Sequence, residues 1–153
     1  EYVINLQGDE PMLDIEDVTN LLKKTIKKKS KISTLACQIE DEKFFLNKNV
    51  VKVTTKEELH QNNLSIASSF TREIKNTQKN IYHHIGIYIY NVNYLKKFVQ
   101  FDQTQNEKLQ NLEQLRLIDN KISIDVGLAK TKPIGVDTHE DYLELKKIME
   151  YKN

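Results

Sequence analysis

Apolar positions change period several times along this chain, and each change marks an element. Tyr2–Gln7 (YVINLQ) is a short apolar run stopped by Gly8 and Pro11, which predicts a buried strand. Asp14 offers an N-cap, with Asp17 three positions on as a capping-box partner. Ile15, Val18, Leu22 and Ile26 recur at helical spacing, predicting a helix to about Lys28 with that stripe buried. β-Branched content predicts strands over Ile32–Ile39 and Val50–Thr55 and a weaker one over Leu64–Phe70, while polar Thr71–Asn80 reads as a loop. His83–Tyr90 alternates: Ile85, Ile87 and Ile89 share one face, and His84, Gly86, Tyr88 and Tyr90 share the other. Helices are predicted over Val92–Gln100 and Glu107–Ile118, the second burying Leu109, Leu112 and Leu115. Ile122–Ala129 alternates again. Thr138 and Asp141 make a second capping box ahead of a last helix from His139 to about Glu150. Strands and helices alternate at both ends around a strand-rich middle. One α/β domain over 1–153 is expected, with a small, more antiparallel insert at about 60–95.

Composition narrows the function. The chain has 153 residues, 39% apolar, with 23 basic against 22 acidic side chains and a net charge of +1. Near-balance argues against a dedicated nucleic-acid binder. No apolar run reaches membrane-spanning length, and nothing at the start resembles a signal peptide. The single cysteine, Cys37, cannot form an internal disulfide, so a cytoplasmic setting is expected, with Cys37 a small buried hydrophobe. The lysine run KKTIKKKSK ends a helix, where cations suit the dipole, and reads as solvated surface. Glu1 leads almost directly into a strand, so the chain is expected to be the later part of a longer protein.

Three groups of residues could carry chemistry. Asp9, in QGDEP, follows a strand and a glycine; acids so placed beyond the carboxyl end of a strand suit a divalent cation on a phosphate. Turns are rich in acids, so Asp9 and Glu10 are equally readable as turn residues. Asp137, in PIGVDTHED, sits after another strand and turn, where starting the last helix is the commoner role. Glu107, Gln110 and Gln114 fall at i, i+3 and i+7, a polar row able to bond sugar hydroxyls or merely to face solvent. His83 and His84 lack partners at zinc-ligand spacing, and no nucleophile elbow or Walker loop is present.

The order of blocks is more specific than any one of them. QGDEP, then FTR (Phe70–Arg72), HHIGIYIY, LEQLR and GVDTHEDY together resemble the 3-deoxy-manno-octulosonate cytidylyltransferases, over nearly the whole chain. The resemblance implies an α/β, Rossmann-like nucleotidyltransferase: a three-layer sheet with a small antiparallel dimerisation insert, its N-terminal strands missing here. It implies transfer from CTP to a 2-keto-3-deoxy sugar acid with Mg²⁺, in a homodimer, for lipopolysaccharide synthesis. Asp9 and Asp137 match the metal-binding, catalytic pair. Arg72 matches a partner of the sugar carboxylate, and His84, Tyr88 and Gln114 match the sugar pocket. Gln7 matches a position near the nucleotide. Departures are a missing first strand and Arg/Lys loop, Gln110 in place of Glu, and EIKN after Arg72 without Ile-Pro. The polypeptide alone is therefore expected to be inactive. A different sugar acid, a non-catalytic dimerisation fragment and a Mg²⁺ phosphohydrolase stand as alternatives.

Overall fold

In the computed structural model, residues 1–7, 13–40, 43–74, 79–131 and 139–150 are described. The elements are β1 (Tyr2–Asn5), α1 (Ile15–Lys28), β2 (Ile32–Cys37), α2 (Lys43–Leu46), β3 (Lys52–Thr55) and β4 (Leu64–Thr71). They continue with β5 (Ile81–Asn91), α3 (Val92–Phe98), α4 (Gln105–Gln110), α5 (Leu115–Asp119), β6 (Ile124–Leu128) and α6 (His139–Glu150).

The alternation of β5 organises the molecule, because each face of that strand is buried under different helices. Ile85, Ile87 and Ile89 join Val18 and Leu21 of α1, Leu35 and Cys37 of β2 and Leu64. Tyr82, Tyr88 and Tyr90 face the other way, against Leu112, Leu115 and Leu117, with Tyr94 and Phe98 of α3 packed on. The result is three layers, helix–sheet–helix.

Strand order is β1-β5-β2-β6-β4-β3, with β3 also pairing to β5. β1 and β2 are both antiparallel to β5, and β6 is parallel to β2, so β1, β2 and β6 run in one direction. β4 is antiparallel to β6, and β3 is antiparallel to both β4 and β5. The strands of the middle region are thus continuous with the main sheet: β4 begins against β6 and ends against β3. Between β2 and β5 the register moves from Thr34↔Tyr88 to Leu35↔Ile85. A shift of an even number of positions keeps the pleat in phase, so His84 and Tyr88 stay on one face.

Several expectations from the sequence need correction. β1 is not a buried strand: it lies at the end of the sheet, and Val3, Ile4 and Leu6 are exposed. The buried face of α1 is Asp17, Val18, Leu21 and Thr25, while Ile15 and Ile26 are exposed. The two apolar stripes of α1 compete, and a close approach to β6 selects the second one. A Cβ on Gly127 would lie 3.0 Å from Leu21 Cδ1 and 3.1 Å from Leu64 Cδ2, so a side chain there would have to push these leucines aside by a few tenths of an ångström. Finally, residues 107–118 are two helices: Asn111 takes a left-handed conformation (φ 51°) and ends α4. That break leaves Leu109 exposed and dissolves the polar row of Glu107, Gln110 and Gln114.

Asp14 does cap α1, accepting from Glu16 N at 2.7 Å. Asp17, however, does not complete a capping box. It is 2% exposed and accepts from Lys130 N at 3.0 Å, Thr131 N at 3.2 Å and Thr131 Oγ1 at 3.0 Å. It therefore ties the exit of β6 to the first turn of α1. Nor is the lysine run all solvated, since Lys28 pairs with the buried Asp125 at 2.8 Å. The capping box expected at Thr138 and Asp141 lies outside the described residues.

Candidate functional site

Asp9 and Asp137 lie outside the described residues, so the structure gives no side-chain position for either. What it does give is the strands that precede them. β1 and β6 run the same way, so the chain leaves both at one edge of the sheet before residues 8–12 and 132–138. With β5 and β2 between them, the two exits are roughly 14 Å apart at the usual strand spacing. Gln7 leaves β1 two positions after Asn5, the partner of Tyr88, and is exposed at that edge. Among the described residues no group of three His, Cys, Asp or Glu side chains is arranged to hold a metal ion. Asp17, which precedes α1's buried face, is spent on the backbone of Lys130 and Thr131.

Of the remaining candidates, two meet on β5. His84 and Tyr88 are both buried, with ring centroids 5.5 Å apart. Phe70, at the end of β4, meets the His84 ring edge-on at 5.1 Å, and Tyr90 stacks on Tyr88 at 5.6 Å. Arg72 follows Phe70 by two residues. Its guanidinium donates to the carbonyls of Gln110 and Lys48 at 3.1 Å each, with longer contacts of 3.5 Å to those of Asn49 and Asn111. The shorter two bonds seat the guanidinium. The longer two are marginal, and a carboxylate can displace them on the Nη1–Nη2 side. Gln114, also buried, lies three residues beyond Asn111, between Leu112 and Leu115 on the Tyr88 side of the sheet.

Hydrogen bonding and burial fix the charge states. Thr34 Oγ1 lies 2.6 Å from the carbonyl of Ile87 and 3.0 Å from His84 Nε2. A hydroxyl has one proton; given to Ile87, it leaves the oxygen to accept from His84 Nε2–H, which assigns the tautomer. Burial pushes the His84 pKa down to about 3, with a smaller contribution from His83, so the ring is neutral at physiological pH. Burial likewise raises the Tyr88 phenol well above its ordinary value, helped by Tyr90 and the nearby Glu113. Neither group exchanges protons near neutrality, so this wall can orient and hydrogen-bond a ligand but not supply acid–base catalysis. The Tyr88 hydroxyl is buried with no hydrogen-bond partner among the described residues, an arrangement that costs stability unless something supplies one.

Two contributors escaped the sequence reading, and a third was given the wrong role. Thr34 orients His84 across strands, a pairing that no spacing signals. Glu113, beside Tyr88 and Tyr90, sat unread in LEQLR. Glu107 is not a sugar-facing row member but a buried ion-pair partner of Arg116, within a capping box that Thr104 completes. That box, TQNE, was visible as Thr-x-x-Glu.

Comparisons with known proteins bear on the family and the fold. A family model described as Cytidylyltransferase matches residues 1–124. A 3-deoxy-manno-octulosonate cytidylyltransferase of Thermodesulfovibrio yellowstonii is 43% identical over 148 residues, covering 91% of this chain and 56% of that protein. The Histophilus somni protein of the same name is 34% identical over 164 residues, covering 99% of this chain and 64% of its own length. Among solved structures, a CMP:2-keto-3-deoxy-manno-octonic acid synthetase complexed with CTP superposes with a TM-score of 0.84 at 30% identity, covering 99% of this chain and 63% of that one. An apo UDP-glucose pyrophosphorylase shares the fold at 14% identity and a TM-score of 0.67. The chain thus spans 56–64% of the length of these curated relatives. That share gives no support to the more specific expectation that initial strands are the absent part. No helix among the described residues is long and apolar enough to cross a membrane. With 124 of its residues matched and its α/β sheet shared, the chain belongs to the cytidylyltransferase family.

Proposed function

We propose that the intact protein transfers a cytidylyl group from CTP to 3-deoxy-manno-octulosonate, giving the CMP-sugar acid and pyrophosphate for lipopolysaccharide synthesis. The anomeric hydroxyl oxygen forms a bond to the α-phosphorus, the α–β phosphoanhydride bond breaks, pyrophosphate leaves, and the hydroxyl proton passes to solvent. Such a reaction asks the protein mainly for positioning and charge neutralisation. The observation that carries the reading is the wall formed by His84 and Tyr88: buried, held neutral, and ending in a phenol with no partner among the described residues, with Arg72 two positions beyond the Phe70 that packs on His84. Neutral donors for hydroxyls and a guanidinium for a carboxylate suit a sugar acid. Gln114 supplies a further amide there, and Gln7 leaves β1 at the edge where the nucleotide would lie.

Two acids on the segments that follow β1 and β6, strands that end at one side of the sheet, would suit Mg²⁺, which keeps several waters and shares phosphate oxygens. Asp9 and Asp137 would hold it. Bound there, Mg²⁺ offsets charge on the phosphates and lowers the pKa of the attacking hydroxyl. The decisive experiment is Asp137→Asn in the intact protein, followed by pyrophosphate release. A fall in kcat of about 100-fold or more, with an unchanged circular dichroism spectrum, is expected for loss of an electrostatic contact of this kind. Near-normal turnover would remove Asp137 from the metal. Assaying several sugar acids in parallel selects the substrate, and light scattering tests a homodimer assembled through the antiparallel middle of the chain; both belong to this reading.

A further inference from the structure

Lys52 is 0% exposed, in β3, between Thr71 of β4 on one side and His83 of β5 on the other. Its ammonium donates to the carbonyl of Asn47 at 2.6 Å and to the carbonyl of Arg72 at 2.8 Å. Neither partner is a carboxylate. Burial lowers its pKa, the neighbouring Arg72 charge lowers it further, and only Glu73 acts in the opposite direction. A buried cation held by carbonyl dipoles alone, next to a second cation, is an expensive arrangement, and packing alone would be served as well by an apolar side chain.

What the arrangement accomplishes is visible in the neighbouring bonds. The guanidinium of Arg72 leans on the carbonyls of Lys48 and Asn49, in the same turn whose Asn47 carbonyl Lys52 holds. Lys52 therefore fixes both the backbone of Arg72 and the turn that its side chain uses as a seat. An arginine side chain has many rotamers, and restricting them before a ligand arrives lowers the entropy lost on binding.

We infer that Lys52 is a positioning residue for Arg72, setting the affinity of the site for the carboxylate of the sugar acid. This rests on the reading of Arg72 as the partner of that carboxylate. The test uses Lys52→Met and Lys52→Gln in the intact protein, alongside Arg72→Lys, with 3-deoxy-manno-octulosonate and CTP as substrates. Calorimetric titration with the sugar acid gives a readout that does not depend on turnover. Lys52→Met is expected to raise KM and Kd for the sugar acid about tenfold, with KM for CTP within about twofold and kcat little changed. Lys52→Gln keeps one amide donor without the charge, so it should fall between, and it serves if the Met variant does not fold. Unchanged sugar-acid affinity in a folded Lys52 variant, with Arg72→Lys weakened, overturns the inference and leaves the Arg72 reading standing. Equal losses for both substrates together with a lower melting temperature overturn it in favour of a purely structural lysine. Unchanged affinity in Arg72→Lys overturns both.

Discussion

Under α1, Asp17 and Asp125 are buried among aliphatic side chains, and each is engaged by the fold itself: one by the amides of Lys130 and Thr131, the other by Lys28. Under α3–α5 the buried polar groups include Glu107, Gln114 and an aromatic wall of His84, Tyr88 and Tyr90, and there a phenol is left without a partner among the described residues; the smaller hydroxyl of Ser33 on β2 also lacks one among them. The sheet between the two faces is the same, and so is the strand, β5, that contributes to both. The difference teaches where to look for function. Polar groups that close upon one another hold elements in place, whereas a buried group left open is a cost that a ligand can repay.

The largest expected effect comes from treating the aromatic side as though it were also purely structural. Glu107 and Arg116 form a buried ion pair that joins α4 to α5, and the guanidinium also sits 4.9 Å over the Phe98 ring. Arg116→Met removes the counter-charge and leaves a carboxylate 3% exposed, which should cost about 3–5 kcal/mol in urea unfolding at pH 7. The hydrogen bond from Arg116 holds the Glu107 carboxyl below its ordinary value. A depressed folded-state pKa contributes stability above the unfolded value that is lost as pH falls through the folded one. The penalty of the variant should therefore shrink in acid, below the usual carboxylate range. A constant penalty from neutral pH down through that range would show the pair to be energetically idle.

A smaller effect separates His84 from its surroundings. Its folded pKa of about 3 lies below the ordinary 6.5, so the unfolded chain binds the proton first. Stability from keeping this ring neutral is complete above pH 6.5 and drains away as pH drops from there toward 3. His84→Gln, which has no such proton to take up, should lose its disadvantage relative to the native protein by about 3 kcal/mol between pH 7 and pH 4.5. Parallel pH profiles for the two proteins would mean that the ring is open to water.

Much of this was legible before any coordinates, and the parts that were not share a cause. The alternation of His83–Tyr90 told which residues of β5 would share a face, because a period of two is a local property. Its consequence, that His84 and Tyr88 meet, held through an even register shift. The stripe on α1 misled because Ile15, Val18, Leu22 and Ile26 satisfy helical spacing as well as the buried set does. Only the approach to Gly127 decides between them, and that is a contact across 106 positions or so of chain. Asp17 was read as a capping-box partner and Lys52 not at all, because Asp17 bonds to Lys130 and Lys52 to the carbonyl of Arg72, partners that lie beyond the reach of local spacing. Glu107 was seen but assigned to the wrong face, since a continuous helix was assumed where Asn111 ends one.

The smallest predicted change sharpens the comparison most. Tyr88→Phe deletes one oxygen, and in a protein where that hydroxyl served only the fold the change would lower stability by about 1 kcal/mol, the usual worth of a hydrogen bond. Here the hydroxyl is buried without a partner among the described residues, so removing it should leave stability unchanged or raise it by less than about 1 kcal/mol. The same substitution should weaken sugar-acid binding several-fold, because the ligand then loses the donor that the empty wall holds ready. Stability and affinity moving in opposite directions is the signature of a group kept for a ligand. If thermal melting instead reveals a loss of more than about 1 kcal/mol while binding is untouched, the phenol belongs with Asp17 and Asp125 as a fastening of the fold.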